Sequence, residues 1–330
     1  MLRHLVVAGA VLGAVPSLAA AQATYARIAD IPVEGALPAS WDYTTPDPAS
    51  KRVYVSHGTE VVVIDSETNQ VVGRIADTPG VHGIAVGAGQ VFVSAGRENR
   101  VVVADPKTLA TLVKIDSGGA NPDAITFDPA SGHVWVFNHT GMSATEIDAA
   151  THAVVGTIPL SGTAESGQAD GAGHVFVNIE DKDQIDVVDT SARKVTAHWP
   201  VSPGSSPTGL FLDRATRRLF VGAGPVMLMM DSGSGRIVSS VPICGGTDAT
   251  WYDAGTHLAF SSCRDGHITV ARVDGDQMTV VQTIETSPGS RTMGLDTATH
   301  RIYVSAAKPN ASGARGYEPG TFHVLVYGLR

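Results

Sequence analysis

Residues 51–86 read KRVYVSHGTEVVVIDSETNQVVGRIADTPGVHGIAV, and their pattern decides the fold. A short β-branched run with an aromatic centre, Val53-Tyr54-Val55, is followed by a polar break and a second run, Val61 to Asp65. A turn over Ser66 to Gln70 leads into Val71 to Ile75, and the chain re-enters through Val81-His82-Gly83-Ile84-Ala85-Val86. Short segments rich in Val, Ile and aromatics between polar connections predict four strands within these 36 residues.

The unit recurs. Its aromatic marker returns as Val91-Phe92-Val93, Val134-Trp135-Val136, Val175-Phe176-Val177, Leu219-Phe220-Val221, Ala259-Phe260-Ser261 and Ile302-Tyr303-Val304. Successive starts are 38, 43, 41, 44, 40 and 43 residues apart. The Asp-terminated run also returns, at Val101 to Asp105, Ala144 to Asp148, Ile185 to Asp189 and Val226 to Asp231. A period of roughly 40–45 residues with four strands per unit marks a β-propeller. Seven copies predict an all-β, seven-bladed propeller with four-stranded antiparallel blades.

The pattern resembles the YVTN-type β-propeller repeats, and most closely the YncE-like secreted proteins. The residues that carry the resemblance are 41–65, 78–86, 121–132 (NPDAITFDPASG), 175–181 (VFVNIED), 207–213 (PTGLFLD) and 291–304 (RTMGLDTATHRIYV). The resemblance implies a secreted propeller, but it does not fix an activity, because the fold hosts unrelated functions. It also brings DNA as a partner of some members. This chain carries a net charge of −9 and no run of lysines or arginines, whereas phosphate binding requires a cationic footprint. Nucleic acid is therefore not the expected partner.

Arg3 and His4 precede an apolar run from Leu5 to Val15, and Ala21-Gln22-Ala23 offers small residues for cleavage. This predicts a secretory signal peptide over 1–23, too short for a membrane span, and a periplasmic or secreted protein. No other apolar run approaches membrane length. Residues 24–330 are expected to form one domain, since each blade buries its faces only against its neighbours. Tyr25 to Val33 resembles the outer strand of a unit, and the last unit lacks one, so the two termini should share the closing blade.

Ring geometry separates structural carboxylates from candidate functional ones. Asp47, Asp128, Asp213, Asp253 and Asp296 end inner strands, while Asp65, Asp105, Asp148, Asp189 and Asp231 end third strands. Their recurrence before turn residues predicts Asx-type turns on the lower face. The start of each inner strand, on the upper face, breaks the repeat instead. Alignment places Asp42, His82, Asp123, Ser166, Thr208, Asp248 and Arg291 there, with Tyr43, Asn121 and Glu165 adjacent. The other upper connections add His57, Arg97, Glu98, Asn138, His139, Asn178, Glu180, Arg264 and Lys308. Convergent polar groups in one concavity mark a binding site.

Within that mouth, His57, His82 and His139 could hold a divalent metal, with Asp42, Asp123 and Glu180 as oxygen donors. His152, His174, His257, His300 and His323 fall in lower turns or at strand edges. Cys244 and Cys263 both reach the top of blade six, where export makes a disulfide the expected state; a soft-metal pair or free thiols are the alternatives. The long connection over residues 306–321 is expected to be either a lid or an unstructured insertion.

Two functions compete. One is a binding module holding a small molecule, a metal or an exported or outer-membrane protein at the mouth. The other is an enzyme, because some propellers with polar mouths are lyases or lactonases. In that case His82 or His57 would be the general base, Arg291 an anion clamp and the carboxylates metal ligands.

Overall fold

A computed structural model describes residues 24–35, 40–310 and 316–330. The signal-peptide assignment and Arg315 of the final long connection lie outside these residues. The described chain forms seven four-stranded antiparallel sheets arranged as the blades of a propeller. Their inner strands are Thr44–Asp47, Val81–Gly87, Pro122–Asp128, Ala164–Ala169, Pro207–Asp213, Thr247–Asp253 and Met293–Asp296. The first six blades run outward in chain order. The seventh takes Met293–Asp296, Arg301–Ala306 and His323–Leu329 from the C-terminal end and Tyr25–Pro32 from the N-terminal end. Tyr25 pairs with Leu329 and Pro32 with His323, so the termini close the ring as expected.

The apolar core consists of the seams between blades. Each of its seven clusters draws buried residues from two adjacent blades. Strand alternation explains the aromatic marker: Val53 and Val55 face the seam with blade seven, whereas Tyr54 between them faces the seam with blade two. Phe92, Trp135, Phe176, Phe220, Phe260 and Tyr303 likewise wedge the seam that follows each blade. Burying each such ring contributes about 1.5–3 kcal/mol, which favours one aromatic per repeat.

The repeated aspartates close lower turns. Asp65 Oδ1 accepts the amides of Glu67 and Thr68 at 2.9 and 2.8 Å, and Asp105 and Asp148 repeat this geometry. Asp47, Asp128, Asp213, Asp253 and Asp296 each accept the amide two residues ahead. The upper face is thereby left as the place where the repeat departs from itself. Among the described residues, no helix is long and apolar enough to cross a membrane.

Candidate functional site

Strand register fixes the upper ring. Ile84 pairs with Val93, Ile125 with Val136, Gly167 with Val177, Leu210 with Val221, Thr250 with Ser261 and Met293 with Val304. The residue two positions earlier is then His82, Asp123, Glu165, Thr208, Asp248 and Arg291, and Asp42 completes the ring from blade one. Glu165 thus replaces Ser166 at the ring position. Ser166 is buried one residue further on and donates its hydroxyl to the Thr208 carbonyl of the next blade.

The second set is corrected by the same alternation. Second strands end at His57, Asn138, Ile179 and Cys263, and these side chains turn into the seams rather than the mouth. His57 is only 1% exposed, stacks on Phe322 with ring centroids 4.3 Å apart and meets Glu60 Oε1 at 3.3 Å. Burial lowers its pKa, against the opposing pull of Glu60. It is therefore neither a mouth residue nor part of a metal cluster with His82. Asn138 is also fully buried, its amide donating to Ser143 Oγ, Thr145 Oγ1 and the Ser117 carbonyl. One residue later the side chains reverse, so His139, Glu180 and Arg264 do line the mouth.

The mouth encloses about 460 Å³, within the range of small-molecule sites. Asp42, His82, Asn121, Asp123, Glu165, Asp248 and Arg291 all contribute to its wall. His82 Nδ1 lies 2.7 Å from Asp42 Oδ2 and 3.8 Å from Asp123 Oδ1. His139 Nδ1 lies 3.9 Å from Asp123 Oδ2, 3.4 Å from Glu165 Oε1 and 3.1 Å from the Ala164 carbonyl. Arg291 is paired with Asp248 and stands 4.0 Å from Asp42. Asn121 is held in the left-handed region at φ 52°, its amide on Asn99 Oδ1 at 2.8 Å. Gly96 makes room here, because a Cβ on it would stand 2.5 Å from Asn121 Oδ1 and 2.9 Å from the His82 ring.

The wall carries five carboxylates, Asp42, Asp123, Glu165, Glu180 and Asp248, against two guanidinium groups, Arg264 and Arg291. Asp123 is 6% exposed, and its Oδ1 is buried without a hydrogen-bond partner. Burial raises its pKa, and the charge of Asp42 adds to the effect. Glu165 is raised by burial and by Asp123. Burial also raises Asp248, against the pull of Arg291. For His82, burial is outweighed by the Asp42 hydrogen bond and the Asp123 charge, which hold its pKa at about 8. A cationic ligand approaching these carboxyl groups favours their ionised forms and takes the place of the protons that the free protein holds.

Two further features shape the site, the role of Tyr43 beneath the ring and the ties between blades. Tyr43 stands where the other blades have Gly83, Ala124, Ser166, Gly209, Ala249 and Thr292, and its ring crosses the axis to pack against the seam between blades three and four. Burial, followed by the charges of Asp123, Glu165, Asp42 and Asp248, pushes its phenol well above the ordinary tyrosine value, so it remains a proton donor beneath the mouth. One large residue among six small ones was the signal. Buried side chains also tie adjacent blades at the ring and just beneath it: Ser94 Oγ to the Asp123 carbonyl, Thr208 Oγ1 to the Thr247 carbonyl and Ser262 Oγ to the Arg291 carbonyl. They hold the ring backbone in place.

The Cys244–Cys263 disulfide forms as expected, with Cα atoms 5.7 Å apart, and fixes the backbone just before Arg264. Arg97 and Glu98 turn outward, and Glu98 pairs with Lys114 at 2.7 Å. In the final connection, Lys308 pairs with Glu318 at 2.9 Å, and Tyr317 packs on Trp41 with ring centroids 4.4 Å apart.

The sequence matches no family model and none of the curated proteins. Its fold is similar to that of several solved structures. Hydrazine synthase of Kuenenia stuttgartiensis aligns with TM-score 0.73 at 15% identity, covering 82% of this chain and 94% of that one. The WD40 repeats of RRP9 align with TM-score 0.79 at 9% identity, covering 94% of this chain and all of that one. U3-55K aligns with TM-score 0.75 at 9% identity over 90% of this chain and 98% of that one. At these identities the likeness establishes the propeller fold alone.

Proposed function

We propose that this chain is an exported, YncE-like propeller that acts as a binding module, with its ligand seated in the upper mouth of the channel. The observation that carries this reading is the Asp123 carboxyl group, buried, with no hydrogen-bond partner for Oδ1 and facing a cavity lined by four other acids, two histidines and two arginines. A carboxylate in such a position is costly to the free fold and favours sites that bind something. Export is supported by the leader-like residues 1–23 and by the Cys244–Cys263 disulfide, which suits an oxidising compartment. The acidic mouth favours a cationic small molecule, a metal ion or a basic segment of a partner protein over nucleic acid.

Native mass spectrometry of the exported protein tests this reading. The wild type should retain a non-covalent mass that Asp123→Ala and Arg291→Ala lose and that His152→Ala keeps. His152 meets Gln90 at 2.6 Å away from the mouth and serves as the control. Retention by both ring variants would overturn the assignment.

A lyase- or lactonase-type enzyme is the second reading, favoured by one arrangement. His82 is oriented by Asp42 at 2.7 Å beside Arg291, which is a base, an orienting carboxylate and an anion clamp. Turnover of any substrate would then be abolished by His82→Ala and unaffected in mechanism by His57, which is buried in a seam.

A further inference from the structure

We propose that the mouth is a paired divalent-cation site bridged by Asp123, with one ion on Asp42, His82 and Asp123 and the other on Asp123, His139 and Glu165. This deepens the reading of the mouth as a binding site and rests on it. The ions are first-row transition metals of the manganese, iron and zinc class.

The geometry is that of a shared carboxylate. The donor atoms of Asp42, His82 and Asp123 lie within 4.8 Å of one another, and so do those of Asp123, His139 and Glu165. Donors around one ion with bonds of about 2.0–2.2 Å stand roughly 3–4.2 Å apart, so each triad needs only a small contraction. Asp123 presents a different oxygen to each histidine, Oδ1 at 3.8 Å from His82 and Oδ2 at 3.9 Å from His139. Paired ions that share ligands sit about 3.5–4 Å apart, which a bridging carboxylate spans.

An independent observation points the same way. Asp123 is more than nine-tenths buried, yet Oδ1 has no hydrogen-bond partner. Buried carboxylates are paired or coordinate metals. The wall has three more carboxyl groups than guanidinium groups, and a bound cation favours the ionised form of each. The donor set narrows the ion further. Imidazole with carboxylate suits iron, manganese and zinc, whereas calcium takes 6–8 oxygens and copper(I) selects thiolates. Both cysteines are spent in the disulfide. Both ring nitrogens must release a hydrogen bond, His82 Nδ1 from Asp42 at 2.7 Å and His139 Nδ1 from the Ala164 carbonyl at 3.1 Å, but Asp42 stays in the site as a ligand whereas the Ala164 carbonyl is left without its partner. The His139 ion therefore binds second and more weakly.

The full exported chain, stripped with EDTA, should be dialysed against zinc(II) and assayed for metal per chain. Cobalt(II) loading followed by electron paramagnetic resonance reads whether two ions are coupled. Two ions per wild-type chain are expected, with a weakened, coupled cobalt signal. Asp123→Asn should lose both, while His82→Ala and His139→Ala should each keep one and show an uncoupled signal. Near-ultraviolet circular dichroism confirms that each variant is folded, and His82→Gln and His139→Gln repeat the test with smaller packing changes. One ion per chain, no ion, or full loading of Asp123→Asn would overturn the pair. If the EDTA-treated wild type still retains an organic mass that the ring variants lose, only the pair falls and the binding mouth stands. If it retains neither, both fall.

Discussion

Replacing Asp123 by asparagine should make the ligand-free protein more stable, and more so at high pH. The carboxylate is buried, has no partner for Oδ1 and faces the negative charge of Asp42. Leaving a buried polar group unsatisfied costs about 1–3 kcal/mol, and a neutral amide of the same shape removes the charge from that cost. For a domain of this size a gain of that order raises the melting temperature by roughly 2–6 °C. The sign with pH follows from linkage. Asp123 has a folded-state pKa raised above its ordinary value of 3.8. The wild type therefore loses stability as pH rises above that value, until the folded-state carboxyl itself ionises. His82, raised to about 8 from 6.5, acts in the same direction: its contribution is complete below 6.5 and lost as pH passes about 8. The benefit of Asp123→Asn should be largest near pH 9, where His82 is neutral, and should shrink toward pH 4. Differential scanning calorimetry in EDTA at a series of pH values measures it. A variant destabilised equally at all pH values would refute the argument and make Asp123 a structural residue.

Three further outcomes are expected. Cys263→Ser should cost about 2–4 kcal/mol by denaturant unfolding, because the bridge closes a loop with a sequence separation of 19; reduction of the wild type should cost the same. Removing residues 24–33 strips the outer strand from blade seven and exposes its edge, so size-exclusion chromatography should show aggregation or unfolding should lose its cooperativity. His57→Ala should lower stability by about 2 kcal/mol through the lost stacking on Phe322 yet leave retention of any mouth ligand unchanged, since the residue lies in a seam.

The fold was legible because a seven-fold repeat states its geometry many times over. The aromatic at Tyr54, Phe92 and Trp135 recurs for one physical reason, the filling of a seam, and any single ambiguous unit is corrected by the others. The mouth was legible in outline, since departures from a repeat can be seen without knowing what they do. Register was harder. Blade four reads Ala164-Glu165-Ser166-Gly167-Gln168-Ala169, which has no β-branched alternation to show which side chain faces the channel. Sequence alone therefore sets Glu165 beside the ring rather than in it. His57 and Asn138 end strands whose last side chain turns inward, and proximity along the chain to a loop does not reveal that turn. The contacts between Asp123, His82 and His139 join two neighbouring blades and depend on how their upper loops pack side by side.

What occupies the mouth decides whether it is a binding site. A crystal structure of the exported protein, with anomalous data collected across the transition-metal absorption edges, would test it most directly. Ligand density is expected against Asp123, with anomalous peaks on its two sides, toward His82 and toward His139. Ordered water alone around Asp123, with ligand density only on the lower face, would contradict it.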